Sequence, residues 1–212
     1  WHISAYSHAC VQFATGRTDI VKDGEGAINL SAGTYSLERG WVDVPRTSKV
    51  VDCELGPDTD SITIEIRNPE GNGRHLRHVV YWKEPDLYLI EDTVRDFEGD
   101  ILFSLPVASK GSVVRGQRVY SPGAYGIDLE TVFVSRVKRI GLEKGRSTPF
   151  FDSGNSDYST MDYIRAVANA NDGFVTLLYP KERGQAALEV EQTIDGALRI
   201  AAGNWQTVWK HP

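Results

Sequence analysis

The stretch Arg74-His75-Leu76-Arg77-His78 places four basic or titratable side chains within five positions. Histidine gains and loses its proton near neutral pH, and arginine grips a carboxylate or sulfate through two parallel hydrogen bonds. Those residue types suit removal of a proton beside a carboxylate. Such a step needs a base, an acid and a cation that neutralises the neighbouring carboxylate. On an extended strand the side chains alternate, so Arg74, Leu76 and His78 share one face while His75 and Arg77 take the other. In the functional case Arg74 and Arg77 bind an acidic substrate, and His75 and His78 handle protons. In the structural case this is a solvated sheet face with His78 half-buried and satisfied.

Other candidates are more scattered. His2 and His8 flank Tyr6 near the start, and Asp19 and Asp23 follow. These are metal-ligand types, but their spacing does not define a site. Trp41, in a glycine-containing loop, is the best suited of the tryptophans to a sugar platform; Trp82, Trp205 and Trp209 suit a core. The chain has no Gly-x-Ser-x-Gly elbow, phosphate loop, dinucleotide fingerprint or CxxC pair, so no cofactor is expected.

The elements that must position these residues are strands. In Ser61-Ile62-Thr63-Ile64-Glu65-Ile66-Arg67 isoleucines alternate with polar residues, as in a half-buried strand. Residues 74–94 read as a β-hairpin turning at Glu84-Pro85-Asp86, and Asp100 to Leu105 forms a further strand. Residues 126–140 carry two short strands and 159–170 a longer one. Asn171-Asp172-Gly173 and Asp195-Gly196 are turns between later strands, the last being Trp205–Trp209. Residues 31–48, 106–126 and 145–158 read as long loops, and no stretch predicts a substantial helix. The expectation is one all-β domain over residues 1–212: a large antiparallel two-sheet sandwich of about a dozen strands. Ile62, Ile64, Ile66, Val80, Trp82, Leu89, Phe103 and Leu177 should fill its core.

At 41% hydrophobic and 25% charged, the 212 residues can build a continuous core. A net charge of −6 and a pI near 5.4 argue against nucleic acid as a partner. No apolar run is long enough for a membrane-spanning helix. Cys10 and Cys53 read as two buried or half-buried thiols, or as one bridge in an exported protein. The chain starts at Trp1-His2 without an initiator methionine, which predicts a processed or partial polypeptide.

The hairpin Arg77-His78-Val79-Val80-Tyr81-Trp82-Lys83-Glu84-Pro85-Asp86-Leu87-Tyr88-Leu89-Ile90-Glu91-Asp92 resembles a stretch of the heparinase II/III-like polysaccharide lyases. In the C-terminal β-sandwich of that family an Arg opens a strand, a Lys-x-Pro turn follows, and the next strand ends in an aspartate. Here Pro85 would fix the turn and Asp92 would bond backbone at the strand end. Gly173 through Pro180 is similar to that domain's late strand, and Gly33-Thr34-Tyr35 to its Gly-Thr-Tyr turn.

The resemblance implies a sandwich paired with an N-terminal helical toroid, cleaving uronate-containing polysaccharide by β-elimination in the cleft between them. It implies an acidic polysaccharide as partner, a secreted or periplasmic location, and His2 as acid or base. Where the family has His-x-His and a later Asp, this chain has His2-Ile3-Ser4 and then Asp23. No histidine stands near Arg46-Thr47-Ser48 either, so no tightly bound zinc is expected. A non-catalytic sugar-binding or structural sandwich is the alternative.

Overall fold

The computed structural model describes residues 10–13, 28–29, 33–36, 40–42, 48–67, 73–107, 109, 111–123, 126–146 and 160–210. Among these residues every regular element is a strand. A seven-stranded sheet runs in the order β13 (Arg139–Arg146), β14 (Thr160–Asn169), β9 (Asp100–Val107), β1 (Cys10–Phe13), β2 (Ile28–Asn29), β3 (Gly33–Ser36) and β4 (Gly40–Val42). An eight-stranded sheet runs β10 (Val113–Arg115), β11 (Arg118–Ser121), β12 (Ile127–Phe133), β15 (Phe174–Glu182), β8 (Leu87–Arg95), β7 (Arg74–Trp82), β6 (Thr59–Arg67) and β5 (Ser48–Leu55). The third sheet has three strands, β16 (Glu189–Gln192), β17 (Leu198–Ala202) and β18 (Trp205–Trp209). Each pairing within β5–β8 and β9–β14 is antiparallel, as the hairpin chemistry predicts.

The two large sheets pack face to face. Ile101, Phe103, Leu105 and Val107 of β9, with Ile164, Ala166 and Ala168 of β14, meet Ile66, Val94, Phe133 and Phe174 from the eight-stranded sheet. Phe103 sits beside Ala166 in register, and the small residue leaves room for its ring. That ring meets Phe133 and Phe174 at centroid distances of 5.5 and 5.7 Å.

The other face of the eight-stranded sheet is covered as well. Val80, Trp82, Leu87, Leu89, Leu177 and Tyr179 pack against Leu188, Leu198, Ile200 and Ala202 at the third sheet. Trp82 and Trp205 meet edge to face across this layer at 5.8 Å. The expected sandwich thus carries a third layer. Its central strands β8 and β15 are buried on both sides, so Leu87-Tyr88-Leu89-Ile90 reads as an apolar run, not an alternation.

Several local expectations change. The segment 31–48 contains β3 and β4, and 106–126 contains β10 and β11, strands too short to show a period. Pro180 lies within β15, opposite Leu129, and does not end the strand. Of the expected core, Ile62 and Ile64 are only half-buried, whereas Ile66 on the same strand is buried. Cys53, expected to be at least half-buried, is a free and exposed thiol on that edge strand.

The Asn171-Asp172-Gly173 turn shows why the chain needs glycine at its third position. Gly173 has φ of 60°, and a Cβ there would lie 2.3 Å from the backbone oxygen of Asp92. Gly184 has φ of 90° with open space around it. Gly173→Ala should therefore cost roughly 2–4 kcal/mol of unfolding free energy, and Gly184→Ala about 1 kcal/mol. Denaturant titration of the two variants checks this; equal losses would remove the close approach as the cause.

Candidate functional site

The β7 strand lies between β6 and β8, so both of its edges are hydrogen-bonded. Its alternation sends His75 and Arg77 inward, toward the seven-stranded sheet, on the face shared with Ile66 and Val94. The β7–β8 register sets Arg77 directly opposite Asp92. Arg77 donates from Nε to Asp92 Oδ1 at 2.7 Å and from its terminal nitrogen to Oδ2 at 3.0 Å. His75 Nε2 approaches Oδ1 at 2.5 Å.

Asp92 is only 1% exposed and His75 only 2%. Burial raises the Asp92 pKa, but the Arg77 and His75 charges and hydrogen bonds outweigh it and bring it from 3.8 down to about 2. A carboxylate only accepts, so His75 donates from Nε2, while among the described residues its Nδ1 is buried without a partner. Asp92 thus takes side chains, where the sequence suggested a backbone acceptor at a strand end. The signal was available: folding the hairpin about its proline turn puts position 77 opposite 92.

Arg74 and His78 point the other way. Thr63 Oγ1 and His78 Nδ1 are 2.9 Å apart, and His78 is half-buried. Arg74 Nε donates to Asp96 at 3.1 Å, with both side chains well exposed. The structure therefore separates the four residues into an internal pair and an outward pair. His2, His8, Asp19 and Asp23 lie outside the described residues. Trp41 is on β4, the last strand of the seven-stranded sheet, and its side chain is outside the described set. Among the described residues no three His, Cys, Asp or Glu side chains group as metal ligands.

Asp128 and Glu130 are buried carboxylates that the sequence did not single out. Asp128 accepts from the Tyr120 hydroxyl, from Gly123 N at 3.0 Å and from Arg183 at 3.1 Å. Glu130 accepts from Arg118 at 2.5 Å and from Leu188 N at 3.0 Å, with Lys181 at 3.6 Å. They tie the segment 183–188 to the eight-stranded sheet and so set the third sheet against it. Their alternation with Ile127 and Leu129 had the look of a wet strand face. Tyr81 and Tyr88 also stack, at 4.4 Å, and an Asp86 hydrogen bond helps push the Tyr81 hydroxyl up to about 12.

The Asp92 cluster predicts a pH dependence. Its folded pKa is depressed, so its contribution is present above the unfolded value of 3.8 and is lost as pH falls toward about 2. That contribution is about 2 kcal/mol. Asp92→Asn should flatten stability between those pH values and, by leaving Arg77 buried without its counter-charge, cost about 3–5 kcal/mol at neutral pH. Urea titrations across that pH range check both; an unchanged acid limb would exclude Asp92 as its source.

No protein-family model matches this chain, and no curated protein matches it significantly. Solved structures do. The heparan sulfate lyase HepC from Pedobacter heparinus superposes with a TM-score of 0.62 at 17% identity, covering 84% of this chain and 30% of the lyase. A heparinase III structure superposes with a TM-score of 0.61 at 15% identity, covering 76% of this chain and 27% of its own. The chain spans about 30% of the length of the lyases it matches. What it shares with them is the fold: an all-β sandwich resembling one portion of the heparinase III and heparan sulfate lyase structures.

Proposed function

We propose that this chain is the β-sandwich portion of a heparinase-like lyase that cleaves uronate-containing polysaccharide by β-elimination. The observation that carries this reading is the superposition on a heparan sulfate lyase over 84% of the chain. The match occupies 30% of that lyase, which suits a sandwich working beside a helical domain of the same protein. Export to the periplasm or beyond belongs to the same proposal, since polysaccharides are met there.

The chemistry assigns the parts. A base removes the proton on the sugar carbon next to the carboxylate. The freed electron pair forms a carbon–carbon double bond, the glycosidic carbon–oxygen bond breaks, and the departing oxygen takes a proton from an acid. A cation held against the carboxylate makes that carbon acidic enough. In this reading His2 exchanges protons and exposed Arg74 meets the polyanion. His75 and Arg77 are positioning residues, because they hold Asp92 and keep β7 in register with β8.

A non-catalytic carbohydrate-binding or structural module is the second reading. The pairing of His75 and Arg77 with buried Asp92 inside the sandwich favours it. The two are separated by incubating the complete polypeptide and the 212-residue chain with a panel of uronate polysaccharides. The ultraviolet absorbance of the unsaturated uronate product is followed. The lyase reading expects product from the complete polypeptide, turnover lowered more than affinity by His2→Ala, and affinity lowered about tenfold or more by Arg74→Ala. Binding without product would establish the module.

A further inference from the structure

The seven-stranded sheet carries a cation that nothing above uses. Arg165 lies on β14 between Ile164 and Ala166, which point into the sandwich core, so its side chain leaves from the opposite face. It is only 6% exposed. Among the described residues its Nε and Nη1 have no acceptor in hydrogen-bonding geometry. Glu143 Oε2 comes within 3.2 Å of Nε, supplying charge without an aligned bond. The guanidinium carbon stands 5.4 Å from the Tyr163 ring centroid, a contact that holds its plane in place. Unfilled donors on a buried guanidinium are costly and need an acceptor.

The space for an acceptor is on the neighbouring strand. Gly141 of β13 is the register partner of Arg165, and a Cβ built on it meets nothing within 4 Å among the described residues. Arg139 and Glu143 flank Gly141 at two-residue spacing and so share its face; both are exposed. β13 is the outermost strand of its sheet, so Gly141 lies at that edge.

We propose that this slot is an oxyanion site, taking a carboxylate or sulfate group against Arg165. The group accepts from the unfilled Arg165 Nε, in the place that Glu143 now takes, and Arg139 adds a second positive charge beside it. Glu143 is the internal stand-in: its side chain is 60% exposed, so it swings aside at little cost when the anion enters. That the oxyanion is borne by an acidic sugar rests on the proposed function; the site itself does not.

The test is thermal unfolding of the chain in sodium sulfate against sodium chloride at equal ionic strength. Sulfate should raise Tm in the wild type. Glu143→Gln, which removes the competing charge, should enlarge the shift. Gly141→Leu should abolish it, because that side chain fills the slot while facing away from the core; Arg165→Gln should do the same. Gly141→Leu keeps the test decisive if Arg165→Gln does not fold. An equal sulfate shift in wild type and Gly141→Leu, or a smaller one in Glu143→Gln, overturns the site. A second arm titrates a sulfated uronate oligosaccharide and its uncharged counterpart. Tighter binding of the charged one, weakened about tenfold by Gly141→Leu, identifies the anion as a sugar's. A sulfate effect with no preference for the charged oligosaccharide leaves the oxyanion site standing and removes the polysaccharide as its source.

Discussion

An ionised carboxyl in a protein interior requires opposite charge and donors delivered to it in place. Asp92 has both, from two residues of the adjacent strand at two-residue spacing. The arrangement fixes register. A slip of one residue between β7 and β8 would turn His75 and Arg77 to the outer face and leave Asp92 opposite Leu76 or His78. On the other side of β8, the close approach of Gly173 to the Asp92 backbone oxygen fixes where β15 begins. Three consecutive strands of the central sheet are thereby locked at one point.

That lock matters because the central sheet is clothed on both sides. Sheets with one wet face carry their register in a plain alternation of polar and apolar residues, but β8 and β15 cannot. Polar side chains inside the layers take over the task. Asp92 does so between the large sheets; Asp128 and Glu130 do so near the third sheet, where each gathers three donors.

What the sequence made legible follows from the range of the interactions involved. The isoleucine alternation of β6, the hairpin around Pro85 and the Asn171-Asp172-Gly173 turn depend on neighbours in the chain, and the structure bears them out. The strands of the third sheet were visible as well, from 187 to 209. Their stacking on Trp82 and Leu89 was not, because a contact across such a separation leaves no local pattern. Exposed Cys53 was misjudged because β5 is an edge strand with a register shift between Val50 and Asp52. The alternation of Arg74 through His78 was correct, but alternation does not tell which face is inside. Arg165 drew no attention at all: one arginine between Ile164 and Ala166 looks like any residue on a wet strand face.

The proposed oxyanion site would put an acidic polysaccharide against the outer side of the seven-stranded sheet, with the Asp92 cluster acting only through the register it holds. Hydrogen–deuterium exchange of the complete polypeptide, with and without a sulfated uronate oligosaccharide, reads this directly. Docking at that site slows exchange in Arg139–Arg146 and leaves Leu87–Arg95 unchanged. Protection confined to Leu198–Trp209, or absent from every peptide of this chain, would contradict it.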